Sequence, residues 1–228
     1  MKKEKLILFG DSAFAEIAYE YFTFDSDYEV VAFTVSKEFN KKGTLFSLPV
    51  VDFEEIEKKF PPTEFKMHIC LVYNLLNRVR KKFYDEAKTK GYELANYISS
   101  NSFVWRNVEI GDNCFIFEDN TVQPFVKIGC NNVLWSGNHI GHHSVIGSHN
   151  FISSHVVISG YCEIGNNNFL GVNATVGNNL KIGNDCLIGS FVHIVKNIND
   201  GCLIKGTPSK IEELTTWDKF KIEKYEVR

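Results

Sequence analysis

The chain of 228 residues is long enough for one or two domains with a sizeable core. Its 28 acidic and 25 basic side chains leave a net charge of −3, too little and of the wrong sign for a nucleic-acid or anionic-membrane footprint. No apolar run approaches the roughly 18 residues of a spanning helix, and the apolar stretch Leu6–Phe9 after the charged start is too short for a signal core, so a cytoplasmic location is expected.

From the N-terminus, Lys5–Gly10 reads as a strand, Ala13–Phe22 as a helix and Glu29–Val35 as a second strand. Pro49–Val51 suggests a short third strand, with Asp52 as N-cap of a helix running to Lys59 and stopped by Pro61-Pro62. His68–Tyr73 is a buried strand, Leu75–Lys90 a basic helix ended by Gly91, and Tyr92–Tyr97 a last strand. Alternating strands and helices over 1–97 predict a small Rossmann-like parallel α/β domain, which takes ligands at the carboxyl ends of its strands. The first such end is Gly10-Asp11-Ser12-Ala13. One glycine is a weak dinucleotide fingerprint; a phosphate at the helix N-terminus and a plain strand-to-helix turn both remain open.

A different rhythm occupies 98–211. From Ile98 to Ile194 an aliphatic residue falls on every sixth position without a miss. Ile-Gly recurs every 18 residues, at Ile110, Ile128, Ile146, Ile164 and Ile182. A period of six fits neither a helix nor one long strand; it fits a parallel β-helix of hexapeptide repeats, three short strands to each triangular coil. Two positions before each inward aliphatic the residue is mostly small, short polar or β-branched, such as Cys114, Asn132, Ser144 and Ala174, which suits a narrow interior. Glycine and asparagine at the corners supply conformations with positive φ. After the coils, Gly201–Ile211 reads as a terminating loop. The tail 212–228 is expected to carry a short helix over Glu212–Tyr225 that covers the open end.

The six cysteines form no Cys-x-x-Cys pair, and Cys114, Cys162 and Cys186 fall in the inward slot, so they read as small buried side chains rather than zinc ligands. Of the seven histidines, His68 sits in a buried strand; no two are 18 or 36 residues apart, so none stack on adjacent coils as metal ligands would need. His142 follows the corner glycine Gly141, with Gly160, Asn178 and Lys196 at successive intervals of 18. His142 and Gly160 are therefore expected on adjacent coils. There a neutral imidazole acts as general base beside a backbone N–H that acts as oxyanion donor; an ordinary surface histidine is the alternative.

At these residues the chain resembles the left-handed β-helix acyltransferases that N-acetylate amino groups of nucleotide-activated sugars, together with sialic acid O-acetyltransferase-like proteins. The likeness is architectural in the N-terminal half and specific from Asn101 to Ile211. Gly141-His142-His143-Ser144-Val145-Ile146-Gly147 matches the family's catalytic stretch and places its base on His142. Ser159-Gly160 matches the stretch whose glycine N–H receives the acetyl carbonyl. Gly206-Thr207-Pro208-Ser209-Lys210 matches a terminal segment near the coenzyme, and Arg80 a common arginine of the sugar-binding domain.

The resemblance implies acetyl-CoA as co-substrate, with Gly160, Asn178, Lys196, Gly206, Thr207, Pro208 and Lys210 toward it, and no metal. It also implies a nucleotide-linked amino sugar held by Gly10, Asp11, Ser12, Thr34 and Arg80, and a homotrimer with sites between subunits. Two positions depart from the pattern. His143 stands where many members carry an acidic partner for the base, leaving Glu163 as a substitute, and Thr34-Val35 replace an acidic pair after the second strand. An O-acetyltransferase acting on a sugar hydroxyl, a metal hydratase of the γ-carbonic anhydrase kind and a non-catalytic sugar-nucleotide binder remain as alternatives.

Overall fold

The computed structural model describes residues 4–223. The N-terminal sheet contains β1 (Glu4–Phe9), β2 (Tyr28–Val35), β3 (Thr44–Leu45), β4 (Leu48–Asp52) and β5 (Lys66–Ile69), in the order β3-β4-β2-β1-β5. It is parallel except for the β3–β4 hairpin, so the sheet is mixed where an all-parallel one was expected. Between the strands run α1 (Ala13–Phe24), the single turn α2 (Ile56–Lys59) and α3 (Arg78–Thr89). Asp52 closes β4 and makes no side-chain cap; a 3₁₀ turn precedes α2. Helix α3 begins three residues later than the sequence suggests, because Leu75, Leu76 and Asn77 are all left-handed, with φ of 48°, 50° and 66°.

Strand β1 alternates its side chains between two cores, as pleating requires. Ile7 and Phe9 face Ile56 and Ala87, on the side of α2 and α3. Leu6 and Leu8 face Phe14, Ala18 and Phe22 of α1, and that core continues without a break into Phe115, Val133 and Phe151. Helix α1 thus lies between the sheet and one face of the second architecture.

That architecture is a left-handed parallel β-helix. Two-residue rungs pair at an offset of 18, for example Val133 with Phe151 and Leu134 with Ile152. The expected last strand of the α/β domain is instead the start of this stack: Tyr97 pairs with Phe115, and only a single bridge from Met67 to Leu94 extends the sheet. The rungs form three faces. One is aromatic, from Tyr97 to Leu203, and receives α1. A second carries His139 and Val157, and a third carries Lys127, Val145 and Glu163. The sixth-position aliphatics from Ile116 to Ile194 fill the interior; burying each contributes roughly 1.5–3 kcal/mol.

The slot residues do more than fit. Asn132 Oδ1 accepts from Asn150 N at 2.8 Å, Asn150 Oδ1 from Asn168 N at 2.8 Å and Asn168 Oδ1 from Cys186 N at 2.7 Å, an amide ladder inside the prism. The corners hold a second surprise. Positive φ falls not only on Asn and Asp but on Phe125, His143, His149, His155, Tyr161 and Phe191. The Ile-Gly glycines have negative φ, and small size is what they supply: a β-carbon at Gly147 would lie 2.6 Å from the carbonyl oxygen of Gly165 on the next coil.

Winding also runs past Ile194. Ile198 bridges Ile182, and Leu203–Ile204 pairs with Leu187–Ile188, so the last coil is two residues shorter than the others. The tail carries α4 (Thr216–Phe220), capped by Thr215, which buries none of its side chains. Ile211, Leu214 and Phe220 remain exposed, so within the protomer the tail does not close the solenoid as expected. The expected helix to Tyr225 ends outside the described residues. No described helix is long and apolar enough to cross a membrane.

Candidate active site

The site grows from one corner of the prism. After the rung His139–Ile140, Gly141 lets the chain turn against the coil above, since a β-carbon there would meet Gly160 N at 2.5 Å. His142 follows, its backbone N–H donating to Gln123 Oε1 at 2.9 Å and its carbonyl accepting from Tyr161 N at 3.0 Å. The exposed ring leans on Gly160: a β-carbon at that glycine would be 2.9 Å from His142 Cε1 and 3.0 Å from Nε2. The expected juxtaposition of imidazole and glycine is therefore present.

The glycine's N–H is not open, however. It donates to Asn178 Oδ1 at 3.0 Å, from one coil further up. The unobstructed oxyanion donor expected at Gly160 is thus already engaged by the next member of the same column. Lys196 is exposed in the corner where the last coil loses two residues, so the interval of 18 no longer places it on Asn178.

His142 Nδ1 lies 3.1 Å from Nδ1 of His143. The His143 ring stacks between Phe125 at 4.6 Å and Tyr161 at 4.8 Å, and the His142 ring stands perpendicular to both His143 and Tyr161. Glu163 does not take the acidic partner's place, because it pairs with Lys181 at 2.8 Å. A groove of about 940 Å³ starts at this corner and runs along the charged face past His143, Tyr161, Glu163, Lys181, Asn184 and Asp200.

Gly206, Thr207, Pro208 and Lys210 follow the rung Leu203–Ile204 and turn the next corner round, where Gly206 presses on Ser190. Within one protomer they do not share a corner with His142.

In the α/β domain, Gly10 has φ of +130° and no room for a β-carbon, which would lie 2.9 Å from the carbonyl oxygen of Cys70. Asp11 is partly exposed and faces Lys42 at 3.8 Å; Ser12 precedes α1 without a side-chain cap. These three remain at the mouth of the sheet. Thr34 does not: it is fully buried, its hydroxyl donating to the carbonyl of Val51 at 3.0 Å.

Arg80 is also corrected. Its guanidinium is fully buried between the domains and donates to Asn131 Oδ1 and to the carbonyls of Leu71, Val72, Asn131, His149 and Asn150. Burial pulls its pKa down to about 9, which still leaves it charged at neutral pH. With every donor engaged, Arg80 fastens the α/β domain to the coils and has nothing left for a sugar nucleotide.

Two other histidines are structural. His68 Nδ1–H donates to the Ala95 carbonyl at 2.8 Å, and burial lowers its pKa to about 4. His149 accepts from Asn131 Nδ2 at 2.8 Å and is likewise lowered to about 4, mainly by burial and then by Lys81 and Arg80. Among the described residues no three His, Cys, Asp or Glu side chains gather as a metal-binding set. Sequence reasoning did not find the His142–His143 contact or the Asn178 bond, because both depend on side-chain rotamers; the interval of 18 from Gly160 to Asn178 was the available signal.

The family model described as bacterial transferase hexapeptide (six repeats) matches residues 125–160 and 161–196, about a third of the chain. No curated protein matches. Among solved structures, the acetyltransferase domain of PglB from Neisseria gonorrhoeae FA1090 is similar with a TM-score of 0.80 at 20% identity, covering 91% of this chain and 99% of that one. PerB from Caulobacter crescentus, solved with CoA and GDP-perosamine, is similar with a TM-score of 0.78 at 21% identity, covering 91% and 97%. WeeI from Acinetobacter baumannii AYE gives 0.59 at 20%, covering 91% and 99%. At such identity the likeness is one of fold. It spans both architectures, so α/β domain and left-handed β-helix together are built as in the acetyltransferase domain of PglB.

Proposed function

We propose that the protein transfers an acetyl group from acetyl-CoA to the amino group of a nucleotide-linked amino-deoxy sugar, with His142 as general base. The observation that carries this reading is the imidazole of His142 lying against Gly160 at a solenoid corner whose next residues, His143 and Tyr161, line a groove. It is supported by likeness along nearly the whole chain to PerB, which was solved with CoA and GDP-perosamine.

The neutral imidazole at His142 Nε2 accepts a proton from the attacking amine as the carbon–nitrogen bond forms. It then returns the proton to sulfur as the carbon–sulfur bond breaks. No covalent enzyme intermediate is needed. The turn Gly10-Asp11-Ser12 at the head of α1 takes the nucleotide end of the acceptor, where helix N–H groups favour phosphate.

A homotrimer belongs to the same proposal. The exposed side chains of Phe103, Trp105 and Val157 on the His139 face suit burial against another copy, and cyclic closure would bring the Gly206–Lys210 segment of one subunit toward the corner of the next. A cytoplasmic location accords with six unpaired cysteines.

The test replaces His142 with alanine and follows CoA release from acetyl-CoA in the presence of UDP-, dTDP- and GDP-linked amino sugars. A loss of roughly 10²–10⁴-fold is expected for a general base; turnover at the wild-type rate would defeat the assignment.

A further inference from the structure

We propose that Asn178 is a catalytic residue: its side-chain amide, anchored through Oδ1 on the N–H of Gly160, presents Nδ2–H to the acyl oxygen. The inference rests on the acyl-transfer reading and replaces the Gly160 N–H as the group that meets the developing negative charge.

The orientation of the amide follows from its anchor. Gly160 N–H can only donate, so the atom 3.0 Å away is oxygen, and Nδ2 is the donor left to this exposed side chain. The comparison within the fold is Asn166, at the neighbouring corner. It also accepts from the coil below, from Ser148 N at 2.7 Å, but its Nδ2 is spent on Asn184 Oδ1 at 2.9 Å. Nδ2 of Asn178 has no hydrogen-bond partner among the described residues. One corner amide is thus a closed link in a ladder, and the other keeps an unused donor beside the candidate base.

His142 sits one coil below Gly160 and Asn178 one coil above, both against the same glycine. An amide whose oxygen accepts a hydrogen bond is a better donor at nitrogen, because chained hydrogen bonds polarise one another. In the reaction, the amine lone pair forms the carbon–nitrogen bond and the carbonyl π pair moves onto oxygen. Nδ2–H of Asn178 stabilises that oxygen while Nε2 of His142 takes the amine proton. The pair on oxygen then re-forms the double bond, the carbon–sulfur bond breaks, and the thiolate leaves with the proton from His142.

The experiment compares Asn178→Ala, Asn178→Asp and His142→Ala with wild type in the full chain, using acetyl-CoA and the same panel of UDP-, dTDP- and GDP-linked amino sugars. Thermal melts are taken in parallel. Asn178→Asp keeps an oxygen for the Gly160 N–H but has no donor at neutral pH. Both Asn178 variants are expected to lose roughly 10²–10³-fold in kcat, with KM for acetyl-CoA and the melting temperature little changed. If Gly160 N–H is the true oxyanion donor, removing Asn178 uncovers it, and kcat in Asn178→Ala would hold or rise. If Asn178 is only a structural link, Asn178→Asp would match wild type. Either result, in a protein whose wild type is active and whose His142→Ala variant is not, overturns the role of Asn178 alone. An inert wild type, or full activity in His142→Ala, overturns the acyl-transfer reading and this inference with it.

Discussion

His142 and His143 meet through like atoms, Nδ1 to Nδ1 at 3.1 Å. Two such nitrogens share one proton. If Nε2 of His142 is to receive a proton, its Nδ1 must already carry one and donate it, so His143 accepts at Nδ1 and holds its own proton at Nε2. Under the proposed reading of His142 as base, His143 takes the orienting place of a carboxylate.

Replacing His143 with Phe keeps the stack between Phe125 and Tyr161 but removes the acceptor. We expect kcat to fall about tenfold, a part of the base's contribution, with KM unchanged. Asp at this position tolerates left-handed backbone and restores an acceptor, so His143→Asp should recover most of the rate. Equal activity in the Phe variant and wild type, measured by CoA release, would show that the contact orients nothing that matters.

Alanine at Gly160 places a β-carbon 2.9 Å from His142 Cε1. The ring is exposed and can swing away, so folding should be little affected. Catalysis should suffer: misplacing a reacting group by a fraction of an ångström costs roughly ten- to hundredfold. Steady-state kinetics alongside a thermal melt separate the two effects.

Arg80 offers the opposite pattern. Arg80→Met leaves buried carbonyls of Leu71, Val72, Asn131, His149 and Asn150 without their donor, which should destabilise the fold by roughly 3–5 kcal/mol. Lysine should not rescue it, lacking the planar fork. A urea midpoint reads the loss, and KM for the acceptor in the folded protein should stay as in wild type. A raised KM with unchanged stability would return Arg80 to the substrate site.

Acid should weaken the fold through His68. Its folded pKa, lowered by burial to about 4, lies below the unfolded value. The unfolded chain therefore binds more protons in the interval between them, and stability falls as pH drops through it. From pH 7 to pH 5 the loss from this one group is on the order of 2 kcal/mol. His68→Asn, which keeps a donor for the Ala95 carbonyl, should flatten the dependence of urea midpoints over that range.

The solenoid was legible because its signal is periodic and local: each sixth-position aliphatic from Ile116 to Ile194 states its own inward direction. As far as Ile194 its register followed to the residue, and with it the neighbours His142 and Gly160. What the lattice could not state was how side chains share hydrogen bonds across coils, so the Asn178 contact was hidden and Gly160 was read as open. Arg80 misled for a related reason. A basic residue in a basic helix looks like an exposed anion binder, and only the docking of that helix on Asn131 and Asn150 reveals a buried clamp. Thr34 similarly belongs to the interior once β4 lies beside β2. The strand expected over Tyr92–Tyr97 was misread at its end, because Tyr97 adjoins the first hexad aliphatic Ile98 and pairs with Phe115 of the coils.

A structure made by repetition carries no intrinsic reason to stop growing. Here the final winding is cut by two residues, so that Leu203 meets Leu187 sixteen positions on rather than eighteen. The loss falls at one corner, between Ile194 and Ile198, and the rows beyond it stay aligned, with Leu203 over Leu187 and Ile204 over Ile188. Omitting two residues at a corner therefore tightens the bend there and leaves the stacking of the prism intact.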